Sequence, residues 1–191
     1  MRKLLLCTLA FAAMAPAQEF KLGAPVTDFD INDLKGNTVK YSGLKGDTTV
    51  VVFISTQCPI SNGYNDRMKS VYNDYATKGV RFIFINANST EPAEEVRKHA
   101  ESHGFPFPVY KDSNDTAADR FGAQVTPEAY VMDSAGVIQY HGYVDDSVTE
   151  ARVHVRGLRM ALDAVMAGKP VENAQTKAFG CTIKRRHRTA S

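Results

Sequence analysis

Among the three cysteines of this 191-residue chain, Cys58 is the one placed for chemistry. It follows an apolar, β-branched run, Thr48 to Ser55 (TTVVVFIS), and precedes Pro59, a residue suited to the first turn of a helix. The end of a central strand is where open α/β sheets gather their ligands. A thiol there also faces the unpaired N–H groups and positive end of a helix, which favour the nucleophilic thiolate. The bland alternative is a buried cysteine acting as a small hydrophobe. Ser61 and Asn62 make the helix start polar, and that weighs toward reactivity. Thr126-Pro127 is the second point of interest, since a proline at the head of a strand removes a ladder donor. It reads either as an edge-strand proline or as a cis-proline loop beside the thiol that offers backbone to an extended substrate.

The elements that must position these residues follow from pattern. Thr48–Ser55 and Val80–Ala87 are continuous apolar runs, expected as strands buried on both faces. Phe29–Ile31 and Thr38–Tyr41 alternate around a Gly36-Asn37 turn and predict an N-terminal hairpin. Tyr64, Met68, Val71, Tyr72 and Tyr75 share helical spacing, so one helix should run from Pro59 to Lys78-Gly79. Glu91–His103 is expected as a helix behind an Asn88-Ser89-Thr90 cap, and Thr116–Phe121 as a short one. Val109-Tyr110 is a short strand candidate, and Glu128–Met132 and Val137–Tyr143 flank a turn. Val153–Met166 is a final amphipathic helix. Strands alternating with helices predict an α/β domain with a mixed central sheet over residues 18–170, followed by a polar tail at 171–191.

The first seventeen residues read as an address. Arg2-Lys3, the apolar Leu4–Ala13 and an Ala15-Pro16-Ala17 exit form a three-part signal peptide, with cleavage expected after Ala17. A spanning helix needs about 20 apolar residues, roughly twice this run, so stable membrane insertion is not expected. Cleavage would remove Cys7 and leave Cys58 and Cys181 in an oxidising periplasmic or secreted setting. The net charge of +2 lacks the strong basic excess that a nucleic-acid partner calls for, and losing Arg2 and Lys3 takes it to zero. With 43% hydrophobic and 23% charged residues the chain can form an ordinary core, so global disorder is excluded.

The segments VVVFISTQCPISNGYNDRM and QVTPEAYVMDSAGVIQYHGYVDD resemble a redoxin of the peroxiredoxin-like group, the alkyl hydroperoxide reductase/thiol-specific antioxidant family within the thioredoxin superfamily. The closing ALDAVMAGKPVENAQTKAFGCTIKRR is similar to the end of that group. The resemblance implies a thioredoxin-like fold, Cys58 as attacking cysteine, Thr126-Pro127 as the cis-proline loop, and Cys181 as a candidate second cysteine. There are departures. Gln57 and Ser61 stand where the thioredoxin site has tryptophan and its second cysteine, so no local dithiol is available. Of the peroxiredoxin proline and threonine or serine, only Ser55 is present, Val51 replacing the proline. Tyr143 stands where similar sequences have arginine, leaving Arg152, Arg156 and Arg159 as alternatives.

Cys181 has three readings: a resolving cysteine that closes a disulfide on an oxidised Cys58, a structural bridge pinning the tail, or a free thiol for a partner. Other clusters carry less. His99 and His103 have ligand spacing on one helix face but no completing neighbour, so no metal is expected. Asp112, Asn114 and Asp115 lack the glycine and glutamate of a calcium loop and are expected to cap the following helix. Asn62 occupies the second place of the copper-handling Cys pair, and the basic end beyond Lys184 is expected to be solvated.

The leading expectation is an exported, cofactor-free peroxidase. Cys58 would attack a hydroperoxide held by Ser55 and helix N–H groups near Pro59, and Cys181 would resolve it. The alternative enzyme exchanges disulfides with client proteins along Thr126-Pro127. A non-catalytic binding module with a permanent bridge is the third reading. A thioredoxin-like reductant is expected for either enzyme, and the oligomeric state is left open.

Overall fold

The continuous apolar run at residues 48–55 forms β3 (Thr49–Ile54), and all six of its residues are buried. Its β-branched side chains suit a pleated strand covered on both faces. Val50, Val52 and Ile54 point to one core, with Met68, Val71, Leu158 and Ala161. Val51 and Phe53 point to the other, with Ala117, Phe121, Tyr130 and Met132. The computed structural model describes residues 21–186, so the leader expected at 1–17 and the basic residues His187 and Arg188 lie outside the described residues.

Around β3 lies a seven-stranded sheet, built from β1 (Asp30–Asp33), β2 (Thr38–Lys40), β4 (Arg81–Asn86), β5 (Val109–Lys111), β7 (Glu128–Met132) and β8 (Ile138–Gly142) in the order β2-β1-β5-β4-β3-β7-β8. β3, β4 and β5 are parallel, whereas β7, β8 and the β1–β2 hairpin run antiparallel to their neighbours. The sheet is therefore mixed, as the pattern of elements predicts. Helices α2 (Asn65–Ala76), α3 (Ala93–Ser102) and α5 (Gly157–Met166) contribute to the first core. Helix α4 (Thr116–Phe121) and the residues preceding β2 contribute to the second. Among the described residues no helix is long and apolar enough to cross a membrane.

Besides the last helix, which begins at Gly157 and not at Val153, three details differ from the sequence expectations. The helix after Cys58 is broken: α1 (Pro59–Asn62) is one turn, and α2 begins after Gly63 and Tyr64. The apolar spacing identifies α2 but carries no mark of the break. Helix α3 begins only at Ala93, because Pro92 is its N-cap and Glu91 is turned into the interior. Residues 171–186 are laid across the domain, although their composition suggests solvation. Thr176 donates its N–H to the His141 carbonyl, β9 (Cys181–Thr182) pairs with β6 (Val125–Thr126), and Ile183 is buried.

Among the described residues, one buried ion pair ties α2 to the loop after β8. Arg67 Nη1 donates to both Asp145 carboxylate oxygens at 2.7 Å and to the Ser147 carbonyl at 2.6 Å. The guanidinium lies 3.8 Å from the Tyr64 ring centroid, and the Tyr64 hydroxyl donates to the Asp145 carbonyl at 3.2 Å. The pair is almost fully buried, so each charge depends on the other for compensation. Asp145→Ala is expected to cost about 3–5 kcal/mol by leaving the guanidinium unpaired. Urea unfolding of the two proteins measures it.

Candidate active site

β3 ends at Ile54, and the four residues that follow form a loop over a buried carboxylate. Glu91 is 2% exposed. Its Oε2 accepts from the Thr56 N–H at 2.7 Å, the Thr56 hydroxyl at 2.9 Å and Asn86 Nδ2 at 2.6 Å. Its Oε1 accepts the hydroxyl proton of Ser55. Burial pushes the Glu91 carboxyl up, but the hydrogen bonds from Ser55, Thr56 and Asn86 outweigh it and hold the group below its usual range. Asn86 Oδ1 in turn accepts from Lys111 Nζ at 2.7 Å, and burial pushes that ammonium down to about 8.

Ser55 passes this order to the cysteine. Its Oγ accepts the N–H groups of Gln57 at 3.2 Å and Cys58 at 3.1 Å. Ser61, at the place of a second cysteine, accepts the Ser55 N–H on its hydroxyl at 3.1 Å. Its own N–H donates to Cys58 Sγ at 3.3 Å. Cys58 is the N-cap of α1, with Pro59 at the first helical position. Because α1 is one turn long, the support for negative charge on the sulfur comes from that direct N–H.

The Thr126-Pro127 peptide bond is cis. The Thr126 carbonyl oxygen lies 3.4 Å from Cys58 Sγ, a contact that becomes a hydrogen bond when the sulfur carries a proton. Cys58 is joined to Cys181 in a disulfide, with 5.8 Å between the Cα atoms. Cys181 pairs with Thr126 and Thr182 with Val125 in antiparallel register, and the Ile183 N–H donates to the Gln124 carbonyl at 2.9 Å. The tail thus covers the sulfur, leaving Cys58 only 2% exposed. Beyond the bridge, Lys184 exchanges hydrogen bonds with Asn88 and Ser89, and Arg185 reaches Asp119 and the Ala123 carbonyl. The basic end is docked as far as Arg186, whose N–H donates to Asp115.

The cis-proline loop has its own buried support. Glu128 Oε2 accepts the Gln124 and Val125 N–H groups at 2.7 and 3.0 Å, and Oε1 meets His141 Nε2 and the Tyr130 hydroxyl. Burial pushes the Glu128 carboxyl up, while His141 and the two N–H groups outweigh it and hold it below its usual range. Glu91 and Glu128 are the supporting residues that sequence reasoning misses. Glu128 follows the flagged Pro127 directly, whereas Glu91 resembles an ordinary first-turn helical glutamate.

The other candidates lie elsewhere. Arg159 is bonded to Ser70 and Asp74, Arg152 sits in a short 3-10 turn, and Arg156 is the N-cap of α5. His99 and His103 stack on α3 with ring centroids 4.0 Å apart. Asp112 does hold α4, its Oδ2 accepting the Ala118 N–H at 2.9 Å.

Residues 22–141 match the AhpC/TSA family. A curated relative, the thiol-disulfide oxidoreductase ResA of Halalkalibacterium halodurans, is 26% identical over 133 residues, 68% of this chain and 74% of the relative. A solved uncharacterized conserved protein from Geobacillus kaustophilus superposes with a TM-score of 0.82 at 34% identity, covering 89% of this chain and 95% of the other. The peroxidoxin BcpB of Mycobacterium tuberculosis superposes with a TM-score of 0.63 at 21% identity over 78% of this chain and 98% of its own, a likeness of fold. The fold is thioredoxin-like, with the mixed sheet between helices that the resemblance implies.

Glu91→Gln offers an amide NH2 or a single oxygen to donors that now meet a carboxylate. A loss of about 2–3 kcal/mol is expected near neutral pH, the range of one hydrogen bond to a charged group. Because the folded carboxyl lies below its ordinary value of 4.5, its contribution is complete above that value and is lost as pH falls through the folded pKa. Urea midpoints of the two proteins should therefore converge in acid.

Proposed function

The chain belongs to the AhpC/TSA family, and from that premise we propose that it is a thiol–disulfide oxidoreductase acting on polypeptide clients through Cys58, with Cys181 as the resolving cysteine. The observation that carries this reading is the Cys58–Cys181 disulfide seated along the backbone of the cis Thr126-Pro127 loop. The name of the ResA relative supports it as well.

In the reduced protein, the Cys58 thiolate attacks one sulfur of a client disulfide. The client S–S bond breaks, a Cys58–client bond forms, and the departing client thiolate takes a proton. The Cys181 thiolate then attacks the Cys58 sulfur, and the second client thiol leaves. The client has been reduced by two electrons and the Cys58–Cys181 pair oxidised; a thioredoxin-like dithiol restores it. Ser61 N–H supports the thiolate, Pro59 starts the turn that supplies it, and Ser55 holds the loop. Thr126 and Pro127 offer the client a backbone edge. The leader pattern at residues 1–17 supports action in an oxidising compartment outside the cytoplasm.

Peroxide reduction is the weaker reading of the same sulfur. Ser55 Oγ gives its proton to Glu91 and accepts two N–H groups, so it has no second proton for a peroxide oxygen. Arg159, one of the candidate arginines, is engaged by Ser70 and Asp74.

With a peptide disulfide and a thiol reductant, the wild type should turn over. Cys58→Ser should fall to the uncatalysed rate, and Cys181→Ser should accumulate a Cys58–client mixed disulfide seen by mass spectrometry. Cys58-dependent consumption of hydrogen peroxide without disulfide exchange would replace this reading with the peroxidase. Inertness in both assays, with a bridge that resists reductant, would leave the binding module.

A further inference from the structure

The tail that closes on Cys58 is held as a client would have to be held. A client bonded to Cys58 replaces Cys181 as its partner, because one sulfur accepts one partner. The backbone edge beside that position, Val125-Thr126, is occupied by Cys181-Thr182 in antiparallel pairing. A client strand and the tail therefore compete for the same sulfur and the same edge.

The tail also records what that edge accepts. Gly180, immediately before the cysteine, has a φ of +151°. A Cβ built on it would run into the Thr126 carbonyl oxygen, which is backbone and cannot swing aside. A strand that follows the backbone path of Gly180 past Thr126 thus has no room for a side chain on the residue preceding the bonded cysteine. On the other side of the cysteine, Thr182 is exposed, so the following residue meets open space.

We infer that residues 180–182 are an internal copy of the client, and that the site selects extended polypeptides in which the reacting cysteine is directly preceded by glycine, with free choice of the residue after it. This rests on the exchange reading and specifies its substrate class. The tail then acts as a tethered competitor: reduction of Cys58–Cys181 frees the sulfur, and a Gly-Cys client displaces β9 from β6.

The test uses the full chain carrying Cys181→Ser and short peptides whose cysteine is activated with 2-nitro-5-thiobenzoate. Attack by the Cys58 thiolate on the peptide sulfur forms the mixed disulfide and releases the coloured thiolate. One peptide reads Gly-Cys-Thr at its centre, a second Ala-Cys-Thr and a third Gly-Cys-Lys. All three meet the same folded variant, so a change in protein stability cannot separate them. The Gly-Cys-Thr and Gly-Cys-Lys peptides are expected to react alike, and Ala-Cys-Thr at least about tenfold more slowly, equivalent to about 1.4 kcal/mol. Equal rates for Gly-Cys-Thr and Ala-Cys-Thr overturn the inference and leave exchange standing. Release from none of the peptides, with Cys58 reduced, overturns exchange and the inference together.

Discussion

A carboxylate in the interior of this protein determines how its sulfur is presented. Glu91 collects donors from the loop after β3 and from β4, and this gathers a stretch of chain that has no ladder partner of its own. A buried charge is tolerated only when it is this well hydrogen-bonded. The order then passes through Ser55 to the Cys58 N–H, so the sulfur is placed by a group that never touches it. Glu128 does the equivalent for the opposite wall of the site, holding Gln124 and Val125 just before the cis bond. The two facing backbones, one carrying the Cys58 sulfur and one carrying the strand edge that β9 covers, are each fixed by one buried glutamate.

Legibility in the sequence follows the kind of force involved. β3 and β4 are readable because burial on two faces demands unbroken apolar runs, and those are visible as composition. The N-terminal hairpin is readable from its turn and alternation, and Pro127 from the restriction it imposes. Cys58 stands out because a junction of strand and helix can be located from both sides.

What stays hidden depends on backbone or on single polar contacts. The tail looks solvated because its side chains are polar, yet it is held largely by main-chain pairing to β6 and to the Asn88-Ser89 loop, which leaves no pattern in residue type. Glu91 looks like a first-turn glutamate, because Glu is favoured there; only the late start of α3 at Ala93 shows that its side chain is spent inward. The break between α1 and α2 is equally silent, since apolar spacing persists through it.

The anchoring of the chain beyond Cys181 carries a kinetic meaning. Ile183 is buried, and Lys184 to Arg186 are hydrogen-bonded to three separate loops. If β9 lifts from β6, it opens as a loop tethered at both ends, because Thr176 is also held at β8. The thiol of Cys181 then remains at a high effective concentration, of the millimolar order typical of short tethers or above it. Its return to Cys58 is first-order and independent of how dilute the surroundings are, so closure of the bridge follows the protein's own geometry.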